Sequence, residues 1–243
     1  MKTITAIIPS FRRHENIPII VDRLKKQSYK PDRIIIWNDN SGKYGKAIVI
    51  GDKSIEVINT NSNWWSNYGS YLIGYLTNTD YIAIIDDDMP PGPEWFEYCI
   101  SKQEKFPGIY GKYGVIFKGK SRYIPNEHFS SNIGNGELRE VDMVGNSYFV
   151  PYKAINCMLY ERPPTFNHTC DLHLSYCAQK YGKFKCYIPF PEKETQLPYY
   201  KPEELFYSKN DRAMWDDPTH FTNRDGYVRW AVKRGWNIIN FRK

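Results

Sequence analysis

The sequence has no apolar run of the roughly 20 residues that a membrane-spanning helix requires. Its longest greasy stretches, Thr5–Pro9 and Tyr81–Ile85, have the length of single buried strands. Cysteine is scarce. The five thiols, Cys99, Cys157, Cys170, Cys177 and Cys186, are odd in number and form no C-x-x-C pair. That argues against a disulfide framework or a zinc ribbon and for a reducing compartment, so the expected location is the cytoplasm, or a host's cytoplasm for a viral protein. Arg12 and Arg13 follow the first apolar run at once, unlike the flank of a signal peptide. No internal repeat and no clear linker divides the chain.

What is present describes an ordinary globular protein, with 41% hydrophobic and 25% charged residues over 243 positions. The formal net charge of +6 suits a polyanionic ligand, either nucleic acid or a nucleotide diphosphate. Continuous β-branched runs predict buried strands at Thr3–Ile8, Arg33–Trp37, Ile55–Ile58 and Tyr81–Ile85. Helical spacing predicts helices over Ile17–Gln27, Asn67–Leu76 and Glu94–Lys105, the last with Pro93 in its first turn. This alternation predicts an α/β fold with a mainly parallel central sheet flanked by helices. Further along, Tyr113–Phe117 and Glu140–Val150 read as strands, and Cys170–Tyr181 as a helix with Gly182 as its cap. Pro189–Asp217 reads as a long loop that orders with ligand. A single domain over 1–243 is expected, with a nucleotide-binding half (1–105), an acceptor half (106–190) and an irregular C-terminal loop and helix extension (191–243).

Three polar clusters follow predicted strands: Ser10–Arg13, Asn38–Ser41 and Asp86–Asp88. In a parallel sheet all three converge on one crevice at the carboxyl ends of the strands. Three adjacent carboxylates raise one another's pKa unless a cation offsets them, and a divalent metal with oxygen ligands is one remedy. A solvated acidic turn capping the next helix is the other reading. On an extended turn Asp86 and Asp88 point together and Asp87 elsewhere.

The ordered series of these elements resembles the GT-A fold glycosyltransferases of the family 2 type. Ala6-Ile7-Ile8-Pro9-Ser10-Phe11-Arg12-Arg13 resembles the family's opening strand, and Ile34–Ser41 its I-V-V-D-D-G-S segment. Asn63–Gly74 is similar to the helix region that follows. Tyr81–Asp88 with Pro90-Pro91 resembles the D-x-D element, and Thr169–Leu174 the E-D-x-D-L helix start. The resemblance implies nucleotide or donor contacts for Pro9, Ser10, Arg13, Asp39, Asn63, Asp86 and Asp87. It implies a Mn²⁺ or Mg²⁺ held by Asp86 and Asp88, with His220 as a candidate further ligand. It implies Asp171 as the catalytic base of an inverting transfer; an N-capping aspartate is the structural alternative. Asn38 and Cys170 stand where the family has carboxylates.

The expected function is therefore a metal-dependent transfer of a sugar from a nucleotide-diphosphate donor, UDP-sugar foremost, to a hydroxyl of a glycan acceptor. Neither nucleic acid nor a membrane span is expected. The alternatives are a catalytically silent sugar-nucleotide binder and a sugar nucleotidyltransferase. The latter would want a glycine-rich phosphate loop, and Pro9–Arg13 contains no glycine. Arg212, Arg224, Arg229, Lys233 and Arg234 crowd the C-terminal end, where one or two could clamp a diphosphate. Trp64, Trp65 and Trp95 are either sugar-packing or core residues, and Asp142–Tyr148 aligns loosely with the donor-sugar and acceptor region.

Overall fold

The computed structural model describes residues 1–11, 13–39, 46–61, 68–200 and 217–242. Asn63, Trp64, Trp65 and Arg212 lie outside them. The strands are β1 (Ile4–Ser10), β2 (Arg33–Asn38), β3 (Ile55–Asn59), β4 (Tyr81–Ile84), β5 (Gly108–Tyr110), β6 (Tyr113–Phe117), β7 (Pro125–Ser130), β8 (Glu137–Val141), β9 (Met143–Gly145), β10 (Tyr148–Pro151) and β11 (Lys185–Phe190). The helices are α1 (Ile17–Lys25), α2 (Tyr68–Tyr75), α3 (Trp95–Gln103), α4 (Tyr152–Asn156), α5 (Cys170–Gly182) and α6 (His220–Lys233).

Eight strands form one sheet in the order β3-β2-β1-β4-β10-β5-β11-β8. β1 to β4 are mutually parallel where they pair, and β5 and β11 are parallel to each other. β10 and β8 run antiparallel to their neighbours. Both faces of the parallel half are covered, which explains its unbroken β-branched runs. Ile7, Ile35, Ile82 and Ile84 pack with Tyr71, Ile155 and Leu174 of α2, α4 and α5. Ala6, Ile8, Ile36 and Ala83 pack with Ile20, Leu24, Trp95 and Phe96 of α1 and α3. Trp95 is thus a core residue. A small sheet, β7-β6-β9, joins α5 and α6 in a third cluster around Phe117, Tyr176, Tyr227 and Trp236. Gly69 allows α2 to lie against the sheet: a Cβ there would come within 2.6 Å of the Trp37 indole.

Four expectations change. Pro93 lies in the turn before α3, whose N-cap is Glu94. The single strand expected over Glu140–Val150 is broken into the end of β8, β9 and β10, because Asn146 and Ser147 turn the chain with φ of 59° and 48°. Gly182 is the last residue of α5 rather than its cap. Lys183 takes the left-handed conformation, and Gly182 leaves room for Phe184, 2.5 Å from where its Cβ would be. The loop expected from Pro189 begins instead inside β11, and backbone bonds fasten the chain as far as Tyr200. Gly92 and Glu94 donate to Leu197 and Thr195, and Tyr200 donates to Pro90.

That strap lies over the residues just after Asp86–Asp88, and Gln27 fastens the same stretch from beneath. Its amide donates to the Gly92 carbonyl at 2.6 Å and accepts from the Phe96 N–H at 3.1 Å. Gln27→Ala strands two buried backbone groups, and we expect a loss of about 2–4 kcal/mol in chemical denaturation. A loss under about 0.5 kcal/mol would show that water replaces the side chain without cost.

Candidate functional site

The order β3-β2-β1-β4 reverses direction at β1, so the crevice of the parallel half opens beyond the carboxyl ends of β1 and β4. Pairing between them stops at Ile7 and Ile84, with one last bond from Ile85 N–H to the Ile7 carbonyl at 2.9 Å. Pro9 comes two residues later, and its ring nitrogen points to the same side, where β4 has turned away. The strand therefore loses no ladder bond to proline. Ser10 closes β1, and its buried hydroxyl has no partner. On the β2 side, Asp39 donates its N–H to the Ser10 carbonyl at 3.0 Å, and its carboxylate accepts from the Thr60 hydroxyl at 3.0 Å. Asn38 is buried and donates its amide to Asn59 and to the Lys46 carbonyl, while its side-chain oxygen has no partner. The position that carries a carboxylate in the resembled motif is here an amide tied into β3.

Beyond β4, the acidic run forms a turn closed by the Met89 N–H on the Asp86 carbonyl at 3.0 Å. Because the backbone turns, the three side chains do not alternate as on an extended strand. Arg13 donates through one nitrogen to both Asp87 and Asp88, at 2.9 and 2.7 Å, and the Phe11 N–H reaches Asp87 at 3.4 Å. Asp86 is held separately by the Asn146 amide at 2.7 Å. One guanidinium is therefore the near cation for three carboxylates. Burial and then the charges of Asp88 and Asp87 push the Asp86 carboxyl up to about 7. Burial raises Asp87 to about 6 against the pull of Arg13. A carboxyl raised on folding binds its proton more tightly in the native state. It therefore costs stability as pH climbs from the ordinary carboxylate range through its native value. Asp86→Asn should accordingly raise the melting temperature at pH 8 in EDTA and change it little at pH 4. Equal shifts at both pH values would remove the electrostatic explanation.

Asp171 opens α5. Both of its oxygens are gripped by Arg224 of α6, Nη1 to Oδ1 at 2.9 Å and Nη2 to Oδ2 at 2.7 Å, and the Leu172 N–H also donates to Oδ1. Arg224 is only 4% exposed; it donates to the His168 carbonyl at 2.8 Å and stacks on Tyr123 at 4.0 Å. This corrects one expectation: Arg224 is neither on a solvated helix face nor poised as a diphosphate clamp, because a carboxylate already fills its fork. Among the described residues of that end, Arg229 donates to the Ser121 carbonyl and Arg234 pairs with Glu161 at the surface. Tyr148 links the two carboxylate groups. Burial first, then the nearby Asp171, Cys170 and Asp86, drive its hydroxyl pKa well up.

His220 is the first residue of α6, its ring 5.4 Å from that of His168. Burial, then Arg224 and His168, push it down to about 4, so it is a neutral imidazole at neutral pH. It stands with Asp171 and Arg224. Among the described residues, no three His, Cys, Asp or Glu side chains converge as a ready metal cluster. Asp142 is a structural carboxylate, accepting from Phe117 and Ile239 N–H groups. All five cysteines are buried free thiols. No helix among the described residues is long and apolar enough to cross a membrane.

The match to known families decides what this crevice belongs to. Residues 5–170 match the family described as Glycosyl transferase family 2. The chain belongs to that family. No curated protein matches it. The matched span holds every residue of the β1, β2 and β4 ends, and Asp171 lies one residue past it. As a family 2 member with a mainly parallel, helix-flanked sheet, the protein is a glycosyltransferase of the GT-A type. Within that frame sequence reading held Asn146 and Tyr148 only inside the loosely aligned Asp142–Tyr148 stretch and Arg224 only as one of several basic residues; the Asn146–Asp86 bond and the Arg224–Asp171 clamp are the additions. The Asn146-Ser147 pair, two turn-forming residues inside an apolar stretch, was the available signal for the first.

Proposed function

We propose that the protein is a metal-dependent, inverting glycosyltransferase that takes a sugar from a nucleotide-diphosphate donor, UDP-sugar foremost, and passes it to a hydroxyl of a glycan acceptor. The observation that carries this reading is the gathering of Asp39, Arg13 and the Asp86–Asp88 turn beyond the carboxyl ends of β1, β2 and β4 at the topological switch point, with Asp171 fixed by Arg224 on α5. Asp39 and the unpartnered Ser10 hydroxyl suit the nucleoside. Oxygen donors that one guanidinium leaves under-compensated fit Mn²⁺ or Mg²⁺. Asp86 and Asp88 would hold such an ion, which stabilises the charge of a leaving diphosphate.

Asp171 acts on the acceptor. A base must take the hydroxyl proton as the oxygen attacks the anomeric carbon and the bond to the diphosphate breaks, and a fixed carboxylate serves. Arg224 keeps that carboxylate in one orientation, and Oδ2, which accepts from Arg224 alone, retains a lone pair for the incoming hydroxyl.

Thermal unfolding with UDP, GDP, dTDP or CDP, each with Mn²⁺ or with EDTA, tests the donor reading. A nucleotide at about 100 times its Kd adds about 2.7 kcal/mol. For a chain of this size that is a rise of roughly 5–10 °C. We expect it for UDP with Mn²⁺ and not with EDTA. No shift from any of the four at millimolar concentration would overturn the reading.

A further inference from the structure

Lys112 is a buried cation facing no acid among the described residues. It is 7% exposed. Its Nζ donates to the Ser131 carbonyl at 2.5 Å, and the rings of Tyr113 and Tyr199 stand 5.5 and 6.0 Å away. An ammonium has three donors, and one carbonyl accounts for one of them. Burial alone displaces its pKa, downwards, with no carboxylate pulling it back. Buried charges are normally paired or bound to a ligand, and an apolar side chain of the same length would fill this space at less cost.

The fold puts the backbone of Lys112 at the edge of the crevice, with its Nζ between the Ser131 carbonyl and the ring of Tyr199 on the strap. Lys112 comes two residues after β5, whose carboxyl end lies at the same sheet edge as that of β4. Only β10 separates them, so the two ends are about 10 Å apart at ordinary strand spacing. Asn146 spans the gap: its amide holds Asp86 and its carbonyl accepts the Lys112 N–H at 2.9 Å. Along the edge, the order is Asp39, then Arg13 and Asp86–Asp88, then Asn146, then Lys112. On the donor reading above, the nucleoside and diphosphate occupy the first two places. The sugar and its acceptor come next.

We propose that Lys112 binds an anionic group, a carboxylate or phosphate, carried on the sugar side of the substrate, so that this enzyme selects an acidic sugar. The inference rests on the nucleotide-sugar reading. The anion has two possible sources, the transferred sugar or the acceptor, and the chemistry is the same for both.

Titration calorimetry on the wild type and Lys112→Met tests it, with Mn²⁺ present. In the donor arm the probes are UDP, UDP-glucose and UDP-glucuronate; if the nucleotide series selects GDP, they are GDP, GDP-mannose and GDP-mannuronate. In the acceptor arm, glucose and glucuronate are titrated into protein saturated with the nucleotide. A charge-assisted contact predicts about tenfold preference for the acid in one arm. The preference should fall within about twofold in Lys112→Met and persist in Lys112→Arg, while the bare nucleotide binds all three alike. The arm that shows it names the source. The same acid-to-neutral ratio in wild type and Lys112→Met in both arms overturns the proposal. If no nucleotide binds, the transferase reading fails, and Lys112 is then judged on free glucuronate against glucose by the same ratio. Lys112→Met should melt no lower than the wild type, which separates a ligand role from a structural one.

Discussion

Asp171→Asn should lower kcat about 10²–10⁴-fold while leaving the nucleotide-induced rise in melting temperature intact. The substitution keeps the shape of the side chain and one acceptor oxygen for Arg224, but it removes the group that takes the proton. The carboxylate is the only acid at the start of α5, since Cys170 is buried and its thiol is pushed up to about 12, chiefly by burial. Asp86 and Asp87 are committed to Asn146 and to Arg13. No neighbour is therefore placed to substitute. The nucleotide shift serves as the control for folding, because Asp39, Arg13 and the acidic turn do not depend on Asp171. A folded variant retaining more than a tenth of wild-type turnover would make Asp171 a structural partner of Arg224 in the first turn of α5, whose N-cap is Thr169, and remove it from the reaction. An Asp171→Glu variant adds a second reading: it restores the acid but displaces it by a methylene, so a base role predicts partial recovery and a purely structural role predicts none beyond Asn.

The parallel half of the molecule was legible because its chemistry is local. A strand covered on both faces has to be apolar at nearly every position, and Ile4–Ile8 (Thr5 apart), Ile34–Ile36 and Tyr81–Ile85 are. The residues that leave such strands mark the crevice, so Asp39 and Asp86–Asp88 could be placed from sequence order alone. The second half hides its strands. β5 has three residues, β7 has no buried position, and β11 contains Pro189. Proline there reads as a loop, yet its ring nitrogen faces the β5 side after that pairing has ended at Tyr187, as Pro9 does beside β4. The lateral orientation of the acidic turn was not legible either, because the turn is set by bonds to Arg13 and Asn146 from other elements. Arg224 is 53 positions from the carboxylate it grips. The periodicity of α6 puts it on the buried face with Tyr227, Val228 and Ala231, away from Arg229, but does not say which carboxylate it meets. Local pattern specifies which residues leave the sheet; long-range pairing decides what those residues hold.

Arg224→Ala should cost about 3–5 kcal/mol, the usual consequence of removing one partner from a buried ion pair. For a chain of this length that is a fall of roughly 10 °C in melting temperature, at about 2–4 °C per kcal/mol. The loss has identifiable parts. The Asp171 carboxylate keeps the Leu172 N–H but loses both guanidinium bonds. The His168 carbonyl loses its donor, at a residue held with φ of 59°. The Tyr123 ring loses the cation on its face. Arg224→Lys should recover only part of this, because an ammonium offers a point charge where the site is built for a planar fork. The same pair of variants separates stability from chemistry. Under conditions where each remains folded, positioning by Arg224 predicts that kcat falls more than nucleotide affinity, since the nucleotide site proposed above lies at the β1 and β4 ends. Should Arg224→Ala melt within about 2 °C of the wild type, the clamp would be a surface contact of the screened kind, and Asp171 would have to be oriented by the substrate.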